Sequence, residues 1–404
     1  MPCALCLKPI DKLNDSREHV IPNAIGGRLK VSGVLCSSCN SEAGRQWDSE
    51  LAAQLNPFSL LISIVRDRGE TPAQVLTTVS GNRYIYRADR TLAQAQPEFR
   101  ATPLDDGSIK ISLSARSIEE ARAILKRAKK KYPGIDVESA LALVTPDNSY
   151  LNEFVDIPSE FGGPLAGRSL VKTALCFAVW KGVSPLDCSA ARRYLTDDQG
   201  EPCFGYFYAR DLILVRPPGL PLHCVAVSNR GTSGQLLGYV EYFGIRRQVV
   251  CLSESYAGPD LHFSYAVDPT TGEEISLDFE IEFSRQEIAS IYDYQHVEPQ
   301  SVKSVFEPVI ERALKLSEEG ERDRVVQQAI EFGWRNCGTA DGEAVTPAHI
   351  QNMSALVVEK LQPYLVHLAQ RRRQTEKEQM LSPHPAVGTS PNFDSLGGLK
   401  DGNE

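Results

Sequence analysis

Long apolar runs are missing from this sequence. The longest, residues 170–183, is interrupted by Lys172 and Lys181 and falls short of the ~20 residues a membrane-spanning helix needs. No charged-then-apolar leader follows Met1, so the expectation is a cytoplasmic protein that makes no membrane contact. An excess of positive charge is missing too: 43 Lys and Arg face 52 Asp and Glu, a formal net charge of −9. That excludes a protein that coats nucleic acid through bulk charge, and any nucleic-acid contact has to be a local site. Three common signatures are absent as well: Gly-x-Ser-x-Gly, a phosphate loop ending in Gly-Lys-Ser/Thr, and Gly-x-Gly-x-x-Gly. The stretch from Gly162 to Gly167 has the wrong spacing and contains Pro164. Cysteine is too sparse for a disulfide scaffold, ten in 404 residues, so a clustered subset reads as a metal site.

What is present is the composition of an ordinary soluble globular protein, 42% hydrophobic and 24% charged, long enough for about two to three domains. The expected fold class is α+β. Residues 1–56 read as a small strand, loop, strand, helix module. Its first strand holds Glu18 to Pro22, its turn Gly26-Gly27, and its second strand lies near Val34-Leu35. A helix from near Ser41 carries Ala43, Trp47, Leu51 and Leu55 on one face. Residues 57–300 mix helix and strand. A hairpin is expected around Ser80-Gly81-Asn82, a basic helix from Ser117 to Lys131, and a buried helix over Arg168–Lys181. Strands are expected at Leu212–Val215, His223–Val227, Leu236–Phe243 and Gln248–Leu252. Arg168 and Lys172, one turn apart on the buried helix, are within reach of phosphate but read first as partners in internal salt bridges. Residues 301–379 turn helical, with helices over Val302–Leu316 and Glu321–Phe332 and a third capped by Thr346-Pro347. Leu356, Leu361, Leu365 and Leu368 form a stripe there that suits either core or a homo-oligomer interface. Residues 380–404, rich in Pro and Gly, read as a disordered tail.

Four cysteines form two pairs, Cys3/Cys6 and Cys36/Cys39, with residues 7–35 between them. Four thiolates so spaced suit one tetrahedral structural Zn²⁺, which would supply folding energy that so small a unit lacks. Clamping the pairs brings Glu18-His19 close to Asn40. Carboxylate and amide oxygens suit a hard cation such as Mg²⁺ or Mn²⁺, and an adjacent neutral imidazole can deprotonate a water.

The string Cys3-x-x-Cys6, Glu18-His19-Val20-Ile21-Pro22-Asn23-Ala24-Ile25-Gly26-Gly27, Leu35-Cys36-x-x-Cys39-Asn40, Gly44 and Asp48 resembles the HNH endonucleases, in the subgroup with a four-cysteine zinc knuckle and a Glu-His motif. The resemblance implies a ββα-metal fold over residues 1–56 and metal-dependent cleavage of nucleic acid. It implies His19 as general base, Glu18 and Asn40 as ligands of the catalytic divalent ion, and Cys3, Cys6, Cys36 and Cys39 as ligands of structural zinc. Asp48 is expected to support the site, and Arg28, Lys30 and Arg45 are candidate phosphate contacts. An Asn that braces the loop in many such proteins is missing from Val31-Ser32-Gly33-Val34, where Ser32 stands nearest. The expected function is therefore a divalent-metal-dependent endonuclease, with DNA the favoured substrate. The large remainder of the chain would control it in a defence-type role, through a regulatory partner or a nucleotide signal. The alternative is a zinc-binding adaptor for nucleic acid or protein that does not cleave.

Overall fold

The computed structural model describes residues 2–144, 150–151, 153, 155–157, 161–231, 234–340 and 342–381, with backbone alone for residue 156 and residues 374–381. The expected tail lies, from residue 382 on, outside the described residues. Strand β1 (Glu18–His19) pairs antiparallel with β2 (Lys30–Val31), Glu18 opposite Val31 and His19 opposite Lys30. The second strand thus comes earlier than the expected Val34-Leu35, because Gly33, at φ 75°, turns the chain just after it. Helix α1 (Ser37–Ala43), a wide π turn (Gly44–Asp48) and α2 (Ser49–Ile62) follow without a break. The helix begins before the expected Ser41 because Cys36, held extended, is its N-cap.

Strands β3 (Gln74–Thr78), β4 (Arg83–Tyr86) and β5 (Leu92–Gln94) come next. The hairpin β6 (Glu98–Pro103) and β7 (Ile109–Ser114) precedes α3 (Ile118–Lys129) and α4 (Val137–Ala142). Strand β8 (Val155–Asp156) adds to β3, giving a sheet of order β5-β4-β3-β8. Helices α5 (Gly163–Trp180) and α6 (Ser189–Thr196) lead into six strands. These are β9 (Phe204–Tyr206), β10 (His223–Ser228), β11 (Leu236–Tyr242), β12 (Arg246–Ser253), β13 (His262–Val267) and β14 (Glu274–Ile275). They form one antiparallel sheet of order β14-β13-β10-β11-β12-β9. Leu212–Val215 adds no strand: Ile213 makes a single bridge to Phe279, and Pro217 and Pro218, which lack the N–H that a ladder needs, follow at once. Helices α7 (Arg285–Tyr292), α8 (Pro299–Asn336) and α9 (Pro347–Leu381) close the chain. The two expected helices before residue 333 are one. Gly320 does not end α8, and the Arg90 guanidinium lies where a side chain at Gly320 would be. On α9, Leu365 and Leu368 are exposed. No helix among the described residues is long and apolar enough to cross a membrane.

The chain forms two compact units: residues 1–73, 87–89 and 159–317, and residues 74–86, 90–158 and 318–404. In the first, one core joins the N-terminal segment to α5 and the six-stranded sheet. Cys3, Ile21, Ile25, Leu35 and Leu55 belong to it together with Leu175, Phe177, Val225 and Val249. Strands β10, β11 and β12 are buried along their whole length, their charged members Glu241, Arg246 and Arg247 included. The turn after β1 leans on Gly27, where a Cβ would sit 1.8 Å from the Ile21 carbonyl oxygen.

His223, on β10, pins that turn to the sheet. Its Nε2 hydrogen donates to the Ile25 carbonyl at 2.7 Å, and its Nδ1 accepts from the Phe243 N–H at 3.0 Å. Burial pulls its pKa down from 6.5 to about 4, the Ile25 bond opposing. Between those values the unfolded chain binds the proton that the folded chain refuses, so stability falls as pH drops through that window. The contribution is up to about 3 kcal/mol. The urea midpoint is therefore expected to fall between pH 6.5 and 4, and His223→Gln to start lower at pH 7 with a flatter slope. Equal slopes for the two proteins would show that His223 does not set this dependence.

Candidate active site and zinc centre

Cys36 caps α1 and Cys39 lies within its first turn, facing the knuckle formed by Cys3 and Cys6. The four sulfurs lie within 4.8 Å of one another, and Cys6 and Cys36 are 3.8 Å apart. Four thiolates at about 2.3 Å from one Zn²⁺ are about 3.8 Å from each other, so this cluster fits a tetrahedral zinc. It is the one such group of His, Cys, Asp and Glu among the described residues. Arg192 of α6 ties the knuckle down, donating to the carbonyls of Ala4 at 3.0 Å and Leu5 at 3.2 Å.

Beside the knuckle opens a cleft of about 310 Å³, lined by Arg17, Glu18, His19, Asn23, Asn40 and Asp48, among others. The residues expected to form the site, Glu18, His19, Asn40 and Asp48, thus meet in one cavity. The π turn helps to bring Asp48 there. Eight residues along a regular α-helix lie about 80° apart around the axis, and one extra residue absorbed in a wide turn reduces this to about 20°.

Lys172 of α5 stands behind the cleft. Fully buried, its ammonium donates to Glu18 Oε1 and to Asp48 Oδ2, the latter at 2.7 Å, and Ser169 Oγ donates to Asp48 Oδ1 at 2.6 Å. Burial alone would lower the Lys172 pKa, but Asp48 and Glu18 more than offset it and keep the side chain charged. Burial raises the Glu18 carboxyl, and Lys172 acts against that rise. The expected internal bridges are present for Lys172, whereas Arg168 reaches Asp198 at 3.4 Å on the surface, the Asp198 side chain being 95% exposed.

Asn40 donates through Nδ2 to Ser16 Oγ at 3.0 Å, and that hydroxyl donates to the Leu35 carbonyl at 2.7 Å. Asp15 Oδ1 accepts from the N–H groups of Ser16 and Gly33, each at 2.8 Å. Asp15 and Ser16, preceding β1, therefore brace the loop for which Ser32 seemed the nearest residue. Glu18 shares Oε1 with Lys172, and the Asn40 amide is oriented through its nitrogen. Glu18 Oε2 and Asn40 Oδ1 are then the oxygens that suit a hard divalent cation.

His19 is half-buried, which pulls its pKa below 6.5, with the bond to Asp67 pulling the other way. Its Nε2 lies 3.1 Å from Asp67 Oδ2. Arg28 Nη1 reaches Asp67 Oδ1 at 2.9 Å, and Lys30 Nζ reaches Oδ2 at 2.5 Å. Lys30 and His19 hold the Asp67 carboxyl well below the usual carboxylate range. Two of the three candidate phosphate contacts thus converge on Asp67, while the third, Arg45, pairs with Glu42 at 2.5 Å on an exposed face. Asn23 fixes the Asp67 loop, accepting from the Asp67 N–H at 2.8 Å and donating to the Arg68 carbonyl at 3.4 Å. Sequence reasoning missed Asp67 and Asn23. A lone acid between Arg66 and Arg68 in a loop carries no spacing signal, and Asn23 stood in the quoted motif without a role.

Residues 3–56 match the family model of HNH endonucleases. The match suggests nuclease activity in general, which takes a nucleic-acid substrate. No curated protein and no solved structure matches the chain. Asp67 and Lys172 lie beyond the matched segment.

Two outcomes follow from this geometry. The purified chain is expected to carry one zinc by atomic absorption, and a strong chelator or Cys39→Ser to lower its melting temperature; an unchanged melt after zinc loss would deny the cluster a structural role. Lys172→Met leaves Glu18 buried without its counter-charge and is expected to cost about 3–5 kcal/mol in urea unfolding. A loss below about 1 kcal/mol would mean that the triad is not a stabilising contact.

Proposed function

We propose that the chain is a divalent-metal-dependent endonuclease that hydrolyses phosphodiester bonds, with DNA the favoured substrate. The observation that carries the reading is the convergence of His19, Glu18, Asn40 and Asp48 on one cleft beside the four-cysteine cluster. His19, whose imidazole burial pulls toward the neutral form, is the general base that takes a proton from the attacking water. Glu18 and Asn40 would hold a Mg²⁺ or Mn²⁺ ion, which when bound would supply charge stabilisation at the leaving oxygen. Arg17, on the cleft wall, meets the backbone of the substrate. A net charge of −9 leaves this local site, rather than bulk attraction, to recruit nucleic acid.

The large remainder of the chain regulates or targets cleavage, in keeping with a defence-type nuclease. Support for coupling comes from α5, whose Lys172 grips two cleft carboxylates. The test is a plasmid assay with the full-length chain, zinc-loaded, across a series of Mg²⁺ and Mn²⁺ concentrations. Wild type is expected to nick or linearise the plasmid. His19→Ala is expected to lose at least about 100-fold in rate, and Asn40→Ala to need more metal. Absence of cleavage with every metal, together with intact plasmid binding, would favour the non-cleaving adaptor.

A further inference from the structure

We propose that Asp67 is the positioning residue of His19, holding the ring proton on Nε2 so that the Nδ1 lone pair is the base. The inference rests on His19 being the general base. An ionised carboxylate only accepts hydrogen bonds, so in the 3.1 Å contact with Asp67 Oδ2 the hydrogen belongs to His19 Nε2. A neutral imidazole carries one N–H, and Nδ1 is then the acceptor.

The carboxylate is fixed from several sides. Arg28 holds Oδ1 at 2.9 Å, Lys30 holds Oδ2 at 2.5 Å, and the Asp67 N–H is tied to Asn23 Oδ1 at 2.8 Å. Lys30 lies directly across the β1–β2 ladder from His19, which puts both side chains on one face of the ribbon. The loop is anchored below Asp67 by the Val65 N–H on the Pro269 carbonyl at 2.8 Å. Arg28 and Lys30 then act through Asp67 instead of meeting phosphate themselves. In the step so arranged, a water O–H bond breaks and its proton passes to Nδ1. The oxygen forms a bond to phosphorus, the bond from phosphorus to the leaving oxygen breaks, and that oxygen takes a proton from solvent. Nothing is oxidised or reduced.

The test uses full-length, zinc-loaded Asp67→Asn and Asp67→Glu on supercoiled plasmid with Mg²⁺ or Mn²⁺. The Asn amide can present an N–H to Nε2 and push the ring proton onto Nδ1. Asp67→Asn is expected to lower kcat about 100-fold or more with KM within about threefold, and Asp67→Glu to recover most of the rate. Long-range ¹H–¹⁵N NMR on ¹⁵N-histidine-labelled protein reads the tautomer without any activity. His19, identified by its loss in His19→Ala, is expected to be protonated on Nε2 in wild type and not in Asp67→Asn. An unchanged rate and tautomer in Asp67→Asn would overturn the proposal. So would faster cleavage with tighter plasmid binding, which would make the carboxylate a stand-in for substrate phosphate among Arg28, Lys30 and His19. Wild-type cleavage by His19→Ala would instead remove the general-base reading itself, while the NMR result still decides which nitrogen Asp67 engages.

Discussion

A single buried ammonium organises the first compact unit. Lys172 sits on an otherwise apolar stretch of α5, and no water competes for its charge, so it holds whatever anions face it with little freedom to rearrange. Those anions are Glu18, at the start of the β ribbon, and Asp48, at the end of the π turn. One side chain thereby sets the distance between the two elements that wall the cleft. The arrangement is costly in isolation, since a charge in the interior loses its hydration, and it is maintained because both carboxylates and Ser169 complete the network.

The consequence is that the nuclease-like segment is not energetically separate from the chain that follows it. Its knuckle is held by Arg192, its turn by His223, and its cleft by Lys172, all of them contributed by residues far along the sequence. Helix α6, the six-stranded sheet and α5 supply these three contacts in turn. Whatever alters the packing of α5 on that sheet alters the angle between β1 and the helix that carries Asn40, without touching a residue of the cleft itself.

How much of this was legible beforehand depended on the range of the interaction. The cysteine pairs, the Glu18-His19 string and the helix carrying Asn40 are local patterns, and the structure gathers them around one cleft. The buried helix over Arg168–Lys181 was recognisable because its apolar residues outnumber anything a surface would carry, and a lysine inside it announces an internal partner. Which partner could not be read, because Glu18 and Asp48 are both more than 120 residues away. Gly320 illustrates the opposite error. The patterns over Val302–Leu316 and Glu321–Phe332 read as two helices, whereas good helix formers on both sides of Gly320 carry α8 through it and the missing side chain makes room for Arg90. Asp67 was illegible for a different reason: its importance comes from three donors converging in space, and no period of sequence encodes that.

The π turn at Gly44–Asp48 carries one more implication. The helix from Ser37 to Ile62 holds one residue more between Asn40 and Asp48 than regular α geometry needs. Deleting one residue within the wide turn would let the helix relax into regular α geometry, a local gain, and the seven residues then left would still put Asn40 and Asp48 about 20° apart. Deleting one residue from the regular turns of α2 would instead rotate everything after it by about 100°. Relatives of this protein are therefore expected to tolerate a one-residue deletion across residues 44–47 better than elsewhere in this helix.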